Sequence, residues 1–398
     1  MASRRRRRRG SRPPDEPQRR GGEDAVPGIV DKHAEHSTYI ERVKNGEAAK
    51  AAKPWSDAGD AVRDLIVTRL NDLGGITFQA GRMAPLVTAE IVRRVAAILE
   101  AAEAASRAVV AEAMVQIALV EATWHVAVMD PAMPIGVSLQ MPPVDQIRAL
   151  NESARWRKFG DAKKQRPLID WTKGIESGAK SKVRGVVGRA LREGMPIPEV
   201  KRELRKVTDL TTHQAEAVAR TGISHAANVA SRMFADANTD LIIGWLFSAK
   251  LDMRTTPVCR AFDGKAFRIG DGPQLPLHFG ERSRALDLPR SAKDILTGRT
   301  SPPTDDELEA ARVEATQGRR AAIDYRTGRG TQVPATETYG QWLRKQPAVT
   351  QDRILGKTRG KLFRTGQLEI EQFVGDDYEP LTIPELYDRW NLRPVMPD

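Results

Sequence analysis

The longest regular pattern in the chain is an apolar stripe between Leu86 and Asp130, in a segment that contains no glycine or proline. Apolar side chains recur there at steps of three and four residues, which places them on one face of a helix. We therefore predict a long-helix region over residues 55–150, formed by one long helix or by a helical hairpin. A core helix of a bundle and an extended strut that docks on a partner or a second copy remain alternatives.

The middle of the chain predicts shorter helices, because glycines interrupt the apolar pattern between residues 152 and 240. One of these helices has an apolar face that ends near Phe234. Its start is expected at Thr211 or Thr212, since a threonine hydroxyl can accept a hydrogen bond from the first free N–H groups of a helix.

The pattern changes to a β-type one after residue 241. Two short β-prone runs, IIGWLFSA and KAFRI, flank a polar stretch that contains Asp263 and Gly264. An Asp-Gly pair favours a tight turn with positive φ. We predict a small antiparallel β-hairpin or sheet near residues 242–290.

The last third of the chain predicts two further units. Residues 299–336 are polar and partly helical, as expected for a connector, and residues 337–398 form a small mixed C-terminal unit that begins with a helical pattern. Taken with the long helices, these elements predict an α+β fold that is mostly helical.

Charge is distributed unevenly along the 398 residues. The first 20 residues contribute +7 to the net charge of +11, which leaves +4 for the rest of the chain. Such a segment has little to bury, so residues 1–54 are predicted to be a disordered tail and linker. Contact with nucleic acid through non-specific phosphate neutralisation is the functional interpretation, and a solvated tail is the alternative. The arginines of this tail are Arg4, Arg5, Arg6, Arg7, Arg8, Arg9, Arg12, Arg19 and Arg20.

Composition excludes several classes of protein. The single cysteine, Cys259, cannot form an internal disulfide or a zinc site built from several cysteines. No apolar run reaches the roughly 18 residues of a membrane span, and the N-terminus has no apolar signal region. We therefore expect a chain that stays in a cytoplasm-like compartment without membrane contact.

A cluster of shape-fixing and charged residues covers the region around the only cysteine. It comprises Arg220, Thr221, Asn228, Trp245, Asp252, Arg254, Thr255, Cys259, Asp263, Gly264, Pro276, His278 and Arg282. Their order and spacing resemble the phage Mu F-like head morphogenesis family, the minor head proteins of tailed phages. The resemblance predicts a Mu F-like domain within residues 151–298. The segment from Tyr339 to Val374 is similar to an extension seen in many members.

The resemblance implies a minor head protein that acts in procapsid assembly, genome packaging or genome delivery. Its implied partners are the portal protein, the major capsid or scaffold proteins and packaged double-stranded DNA. Self-association through the long helix is a further possibility. The implied location is the virion, at the capsid interior or portal vertex, and the host cytoplasm during assembly.

One departure from the family pattern concerns metal binding. Members often carry cysteines on both sides of the arginine that follows the histidine, and this chain has Glu281 and Ser283 there. We therefore predict no metal and no cofactor, with a mixed site of Cys259, His278 and Glu281 as the alternative.

The polar residues of the cluster have a structural and a catalytic interpretation. Asp252 and Thr255 are expected to bond to turn backbone, and Arg220 with Asn228 to join their helix to a neighbouring strand. The chain is accordingly predicted not to be an enzyme.

The alternative is a phage-borne nuclease or ADP-ribosyl transferase that uses the polar cluster around Cys259. Its catalytic set would be Arg220, Asp252, His278 and Glu281. Two further histidines, His33 and His36, lie near the tail and are interpreted as solvated.

Overall fold

The computed structural model describes residues 29–73, 80–153, 155–156, 166–376 and 378–392. It is 65% helical and contains a few small antiparallel sheets, which confirms the predicted α+β class. The arginine-rich residues 1–20 lie outside the described residues, so the interpretation of the tail stays a prediction.

Helices supply most of the fold, and four of them are long. The helices are α1 (Ile29–Leu73), α2 (Ala80–Met129), α3 (Val144–Ser153), α4 (Thr172–Glu193), α5 (Ile197–Ala237), α6 (Pro257–Phe262), α7 (Ala292–Leu296), α8 (Asp305–Ala315), α9 (Tyr339–Arg344), α10 (Ala348–Leu355), α11 (Lys357–Arg364) and α12 (Ile383–Arg389).

Strands form three antiparallel sheets in the described residues. The strands are β1 (Arg155–Trp156), β2 (Arg166–Pro167), β3 (Ile242–Ser248), β4 (Ala266–Arg268), β5 (Arg284–Pro289), β6 (Arg319–Asp324) and β7 (Arg329–Pro334). β1 pairs with β2, β6 pairs with β7, and β3 lies between β4 and β5.

The largest apolar core lies between α1, α2, α4 and α5. The stripe predicted between residues 86 and 130 lies on α2 and faces this core, with Ile91 and Ile117 almost completely buried. Trp55 of α1 and Ile223 of α5 fill the same core. The stripe is thus covered within one chain, as in the bundle alternative. Self-association through this helix stays a prediction.

α2 is long and apolar enough to cross a membrane when judged by length and composition alone. Our sequence analysis found no such segment, because it required an uninterrupted apolar run. Buried core helices meet the same criterion, and α2 packs against three other long helices. The expectation of no membrane contact stays a prediction.

Two helix boundaries differ from the sequence analysis. α1 begins at Ile29, so residues 29–54 are helical where a disordered linker was predicted. The prediction was wrong because this segment is polar in composition. Its few apolar residues, such as Ile40 and Ala51, nevertheless face the core and are buried. α5 continues through Thr211, whose hydroxyl bonds to the carbonyl oxygen of Thr208 within the helix and caps no helix start.

The predicted sheet near residues 242–290 is present, but it has three strands. Leu246 and Leu288 lie on the face that packs against α8, and Phe247 lies on the face that contains Cys259. The polar stretch between the two predicted runs, β3 and β4, contains α6. Gly264 follows α6 with φ of 84°, so the Asp-Gly pair ends that helix and leads into β4.

The predicted connector is a folded part of the molecule. Residues 299–336 contain α8 and the β6–β7 hairpin, which pack on the three-stranded sheet and on the C-terminal unit. That unit was expected to be mixed, yet its described residues form helices α9–α12, a 3₁₀ turn and a single β-bridge between Val374 and Pro380.

Two glycines of α1 provide a matched test of the packing between α1 and α5. An added Cβ at Gly59 would overlap the side chain of Thr208 on α5, whereas Gly46 has no neighbouring atom within 4 Å. Gly59→Ala should therefore lower the free energy of unfolding by about 1–3 kcal/mol through overpacking. Gly46→Ala should raise it by about 0.5–1 kcal/mol, because alanine loses less backbone entropy. Chemical denaturation of both variants measures the difference, and changes of equal sign would contradict this packing.

Candidate functional site

Asp252 holds the loop that follows β3. Its carboxylate accepts two hydrogen bonds from the guanidinium of Arg282, at 2.5 and 2.7 Å, and one from the backbone N–H of Arg254 at 2.9 Å. The hydroxyl of Thr255 donates to the carbonyl oxygen of Lys250. Burial opposes ionisation, but the Arg282 guanidinium keeps the pKa of Asp252 below its ordinary value. Both carboxylate oxygens are thus already occupied.

Asp263, the other carboxylate of the family motif, joins several segments of the chain. Its side chain is fully buried and accepts backbone N–H groups from Ala249 and Tyr339, each at 2.7 Å. It also receives two hydrogen bonds from Arg320 of β6, at 3.0 and 3.1 Å. This carboxylate therefore joins the end of β3, the hairpin and the start of α9.

Cys259 lies in a buried polar cluster, which we call the thiol cluster: Thr256, Cys259, His278, Glu281 and Ser283. The sulfur lies 3.3 Å from His278 Nε2 and 3.2 Å from Glu281 Oε1. His278 Nδ1 is 3.0 Å from the carbonyl oxygen of Phe279, which can only accept, so this nitrogen carries the proton. In the neutral ring His278 Nε2 is then an acceptor, and the hydroxyl of Thr256, 3.0 Å away, can donate to it.

The thiol cluster favours neutral side chains. Burial, and then the neighbouring Glu281, raise the pKa of Cys259 well above its ordinary value. Burial also raises the pKa of Glu281. A nucleophilic cysteine needs the opposite shift, because the thiolate is the reactive form. The surroundings of Cys259 therefore oppose nucleophilic catalysis.

The same cluster contains a set of atoms that could ligate a cation. One ligand atom each from Cys259, His278 and Glu281 lies within 4.8 Å of the others. Sulfur, imidazole nitrogen and carboxylate oxygen are all zinc ligands, but zinc binding would require the cysteine to lose its proton. Glu281 and Ser283, which depart from the family pattern considered in the sequence, both interact with Cys259. The predicted absence of a metal remains a prediction.

The helical motif residues have other partners than expected. Arg220 contacts Asn45 of α1 at 3.3 Å and Glu216 of its own helix at 3.1 Å, and Asn228 donates to a carbonyl of its own helix. Neither side chain bonds to a strand in the described residues, so the predicted helix-to-strand link is wrong for this pair. Thr221 instead accepts a hydrogen bond from the N–H of Gly280, in the loop before β5.

The remaining motif residues stabilise the loops around β4. Trp245 packs against Phe267 with ring centroids 4.8 Å apart and donates to the carbonyl oxygen of Asp271. The carbonyl oxygen of Pro276 accepts a hydrogen bond from the indole N–H of Trp156 at 2.6 Å.

Sequence analysis missed the buried polar contacts that α1 makes. Lys44 is fully buried and donates to the carbonyl oxygen of Glu281 at 2.8 Å. His33 is buried, and His36 bonds to Glu121 of α2 at 2.9 Å, so the interpretation of both histidines as solvated is wrong. Because residues 29–54 were assigned to a linker, nothing in the local pattern indicated that these side chains pack against other elements.

A second buried histidine contact links α2 to the three-stranded sheet. His125 Nδ1 lies 2.6 Å from a carboxylate oxygen of Asp287 on β5. Burial opposes protonation, but Asp287 raises the pKa of His125 above its ordinary value. Neither residue was singled out in the sequence, since the two lie 162 positions apart.

The catalytic set of the alternative hypothesis does not form a single site among the described residues. Arg220 bonds to α1, Asp252 is occupied by Arg282, and His278 and Glu281 surround Cys259.

Removal of one partner of the Asp263–Arg320 pair should be strongly destabilising. Asp263→Ala should lower the free energy of unfolding by about 3–5 kcal/mol, because Arg320 would remain buried without its counter-charge. The double variant Asp263→Leu, Arg320→Met should lose less than the sum of its single variants. Asp57→Ala removes an exposed carboxylate paired with Lys53 and is the control, with little expected change. Additive losses in chemical denaturation would contradict the coupling.

Cys259 should react slowly with a thiol reagent in the native protein. At pH 8 we expect the rate with a disulfide reagent to be at least about 100-fold lower than in denaturant, since burial blocks access and the raised pKa reduces the thiolate fraction. The same chain in denaturant is the internal control. A native rate equal to or above the denatured rate would identify an activated thiol and favour the enzyme alternative.

One family model matches the part of the chain that contains these contacts. Residues 181–291 match the family model described as Phage Mu protein F like protein. No curated protein and no solved structure matches the chain. The matched segment contains most of α4, all of α5 and the three-stranded sheet with the thiol cluster. This chain therefore carries a Phage Mu protein F-like region at residues 181–291, which confirms the resemblance.

Proposed function

We propose that this chain is a phage minor head protein whose folded body docks at the portal or inner capsid while its basic tail contacts packaged DNA. The Phage Mu protein F-like region indicates a phage head morphogenesis protein, and this observation carries the proposal. The role is exercised in the virion and, during assembly, in the host cytoplasm. Portal, capsid or scaffold proteins would be the binding partners.

The charge distribution supports DNA contact by the tail and not by the folded body. The first 20 residues contribute +7, and the other 378 residues contribute +4. A body with so small a net charge has little general attraction to DNA, whereas a run of arginines neutralises phosphates without reading bases. Non-specific contact with packaged DNA is therefore assigned to the tail.

The contacts of the body support a docking role over a catalytic one. The motif carboxylates Asp252 and Asp263 each bond to an arginine and to backbone N–H groups. The thiol of Cys259 is buried, and its surroundings oppose its ionisation. Such fully bonded groups rigidify a domain, and a rigid surface loses little entropy when it binds a partner.

Deletion of residues 1–20 tests the tail assignment. The slope of log K against log salt for duplex DNA should become shallower by about 0.9 for each phosphate that the tail no longer neutralises. Replacement of Arg4–Arg9 by lysine should retain most of the slope, and replacement by glutamine should make it markedly shallower while Arg12, Arg19 and Arg20 remain, because charge alone drives counterion release. Circular dichroism should show an intact body in all three variants. Unchanged slopes in the glutamine variant would refute a DNA-binding tail.

Particle composition tests the docking part independently. Phage heads assembled with the deleted chain should still contain it by mass spectrometry, because the body makes the protein contacts. Absence of the chain from these heads would show that the tail, and not the body, directs incorporation. Normal heads that contain a His278→Ala chain but lack an enzymatic activity would instead support the enzyme alternative.

A further inference from the structure

A small cavity lies where α1 meets the sheet and the β6–β7 hairpin. It encloses about 40 Å³. α1 contributes His33 and Ser37, and β5 and the residues just before it contribute arginines. The polar residues that line this interface cavity are His33, Ser37, Ser248, Lys250, Arg282, Arg284 and Arg320.

Three polar atoms at the interface cavity are buried without a hydrogen-bond partner in the described part of the chain. They are His33 Nε2, Ser37 Oγ and Arg284 Nη2. Each such group costs about 1–3 kcal/mol when it is left unsatisfied. Buried polar atoms in native proteins nearly always have a protein or solvent partner. The same three residues also line a neighbouring cavity of about 10 Å³ beside Glu121 and His125, so the interface cavity is the one of the two with space for a bound species that accepts hydrogen bonds.

The charge around the interface cavity indicates the sign of that species. Arg282, Arg284 and Arg320 each pair with a carboxylate, namely Asp252, Glu121 and Asp263. Lys250 also lines the cavity, and its ammonium group has no carboxylate within ion-pair distance among the described residues.

The environment of Lys250 makes its unpaired charge costly. Burial lowers the pKa of Lys250 to about 8. Lys250 is half-buried, and the carboxylate of Glu41, which favours its charged form, lies beyond ion-pair distance, so an anion beside the ammonium group would offset its desolvation. The surplus of one positive charge thus matches a singly or doubly charged anion.

We propose that the interface cavity binds a small inorganic oxyanion, such as phosphate or sulfate, through Lys250, Ser37, His33 and Arg284. An oxyanion only accepts hydrogen bonds, and all four side chains can donate. Burial, and then the nearby His125, lower the pKa of His33 well below its ordinary value, so its neutral ring supplies a single N–H.

The size of the cavity favours a free ion over the phosphate of a DNA strand. A volume of about 40 Å³ is small beside a nucleotide, and a free ion can occupy it without the sugars that flank a phosphodiester. A bound ion would join α1 to β5 and to the end of β3. This inference does not depend on the proposed role in the phage head.

Anion-dependent thermal stability tests the proposal with the full chain. At constant ionic strength, sodium phosphate or sulfate below about 10 mM should raise the Tm by about 2 °C for each tenfold increase above Kd. Lys250→Gln should fold, since it removes a half-buried charge that has no ion-pair partner among the described residues, and should not show this rise. Lys293→Gln, which removes an exposed lysine outside the cavity, should retain it.

A second variant keeps the proposal testable if Lys250→Gln does not fold. Ser37→Ala removes one donor and should weaken the apparent affinity about tenfold, as expected for one hydrogen bond to a charged group. Binding of anions by the arginine tail cancels in these comparisons, because every variant carries the tail.

Three results would overturn the proposal. Equal Tm shifts in Lys250→Gln and the native chain would show that the ion binds elsewhere. An equal shift with sodium chloride at the same ionic strength would show general screening. A shift with short duplex DNA but none with inorganic phosphate would identify the DNA backbone as the ligand in place of a free ion.

Discussion

The buried pair of Asp263 and Arg320 is the interaction on which the arrangement of the C-terminal half depends. The carboxylate accepts hydrogen bonds from the backbone at Ala249 and Tyr339 as well as from the arginine. Three segments far apart in the sequence therefore meet at one desolvated charge. In a low-dielectric interior each of these bonds is strong, and an incomplete set would be costly. The pair thus fixes the position of the β6–β7 hairpin and the C-terminal helices relative to the sheet.

A second set of polar contacts connects the sheet to the helical bundle. Lys44 of α1 bonds to the backbone of Glu281, and His125 of α2 bonds to Asp287 of β5. Apolar packing alone would tolerate small shifts between these layers, whereas directional bonds between buried groups do not. The interface cavity lies at this junction. Three buried polar atoms of the residues that line it have no hydrogen-bond partner among the described residues.

The thiol cluster places several kinds of polar side chain around one buried sulfur. Glu281 and Ser283 both lie beside Cys259. A carboxyl group whose pKa is raised by burial can share a proton with a thiol, whereas several thiolates would require a cation. The same corner of the fold can therefore be held by hydrogen bonds between neutral groups.

The sequence by itself determined the α+β class, the long apolar helix and the Phage Mu protein F-like region, because periodicity and residue spacing are local properties. It also indicated that Asp263 and Gly264 occupy a turn. It did not reveal that residues 29–54 form half of α1, since their few apolar positions gain burial only against the other long helices. The partners of Asp263, His36 and Lys250 were likewise decided by tertiary structure. Burial and pairing of charge depend on elements that lie far apart in the sequence, and no local pattern encodes them.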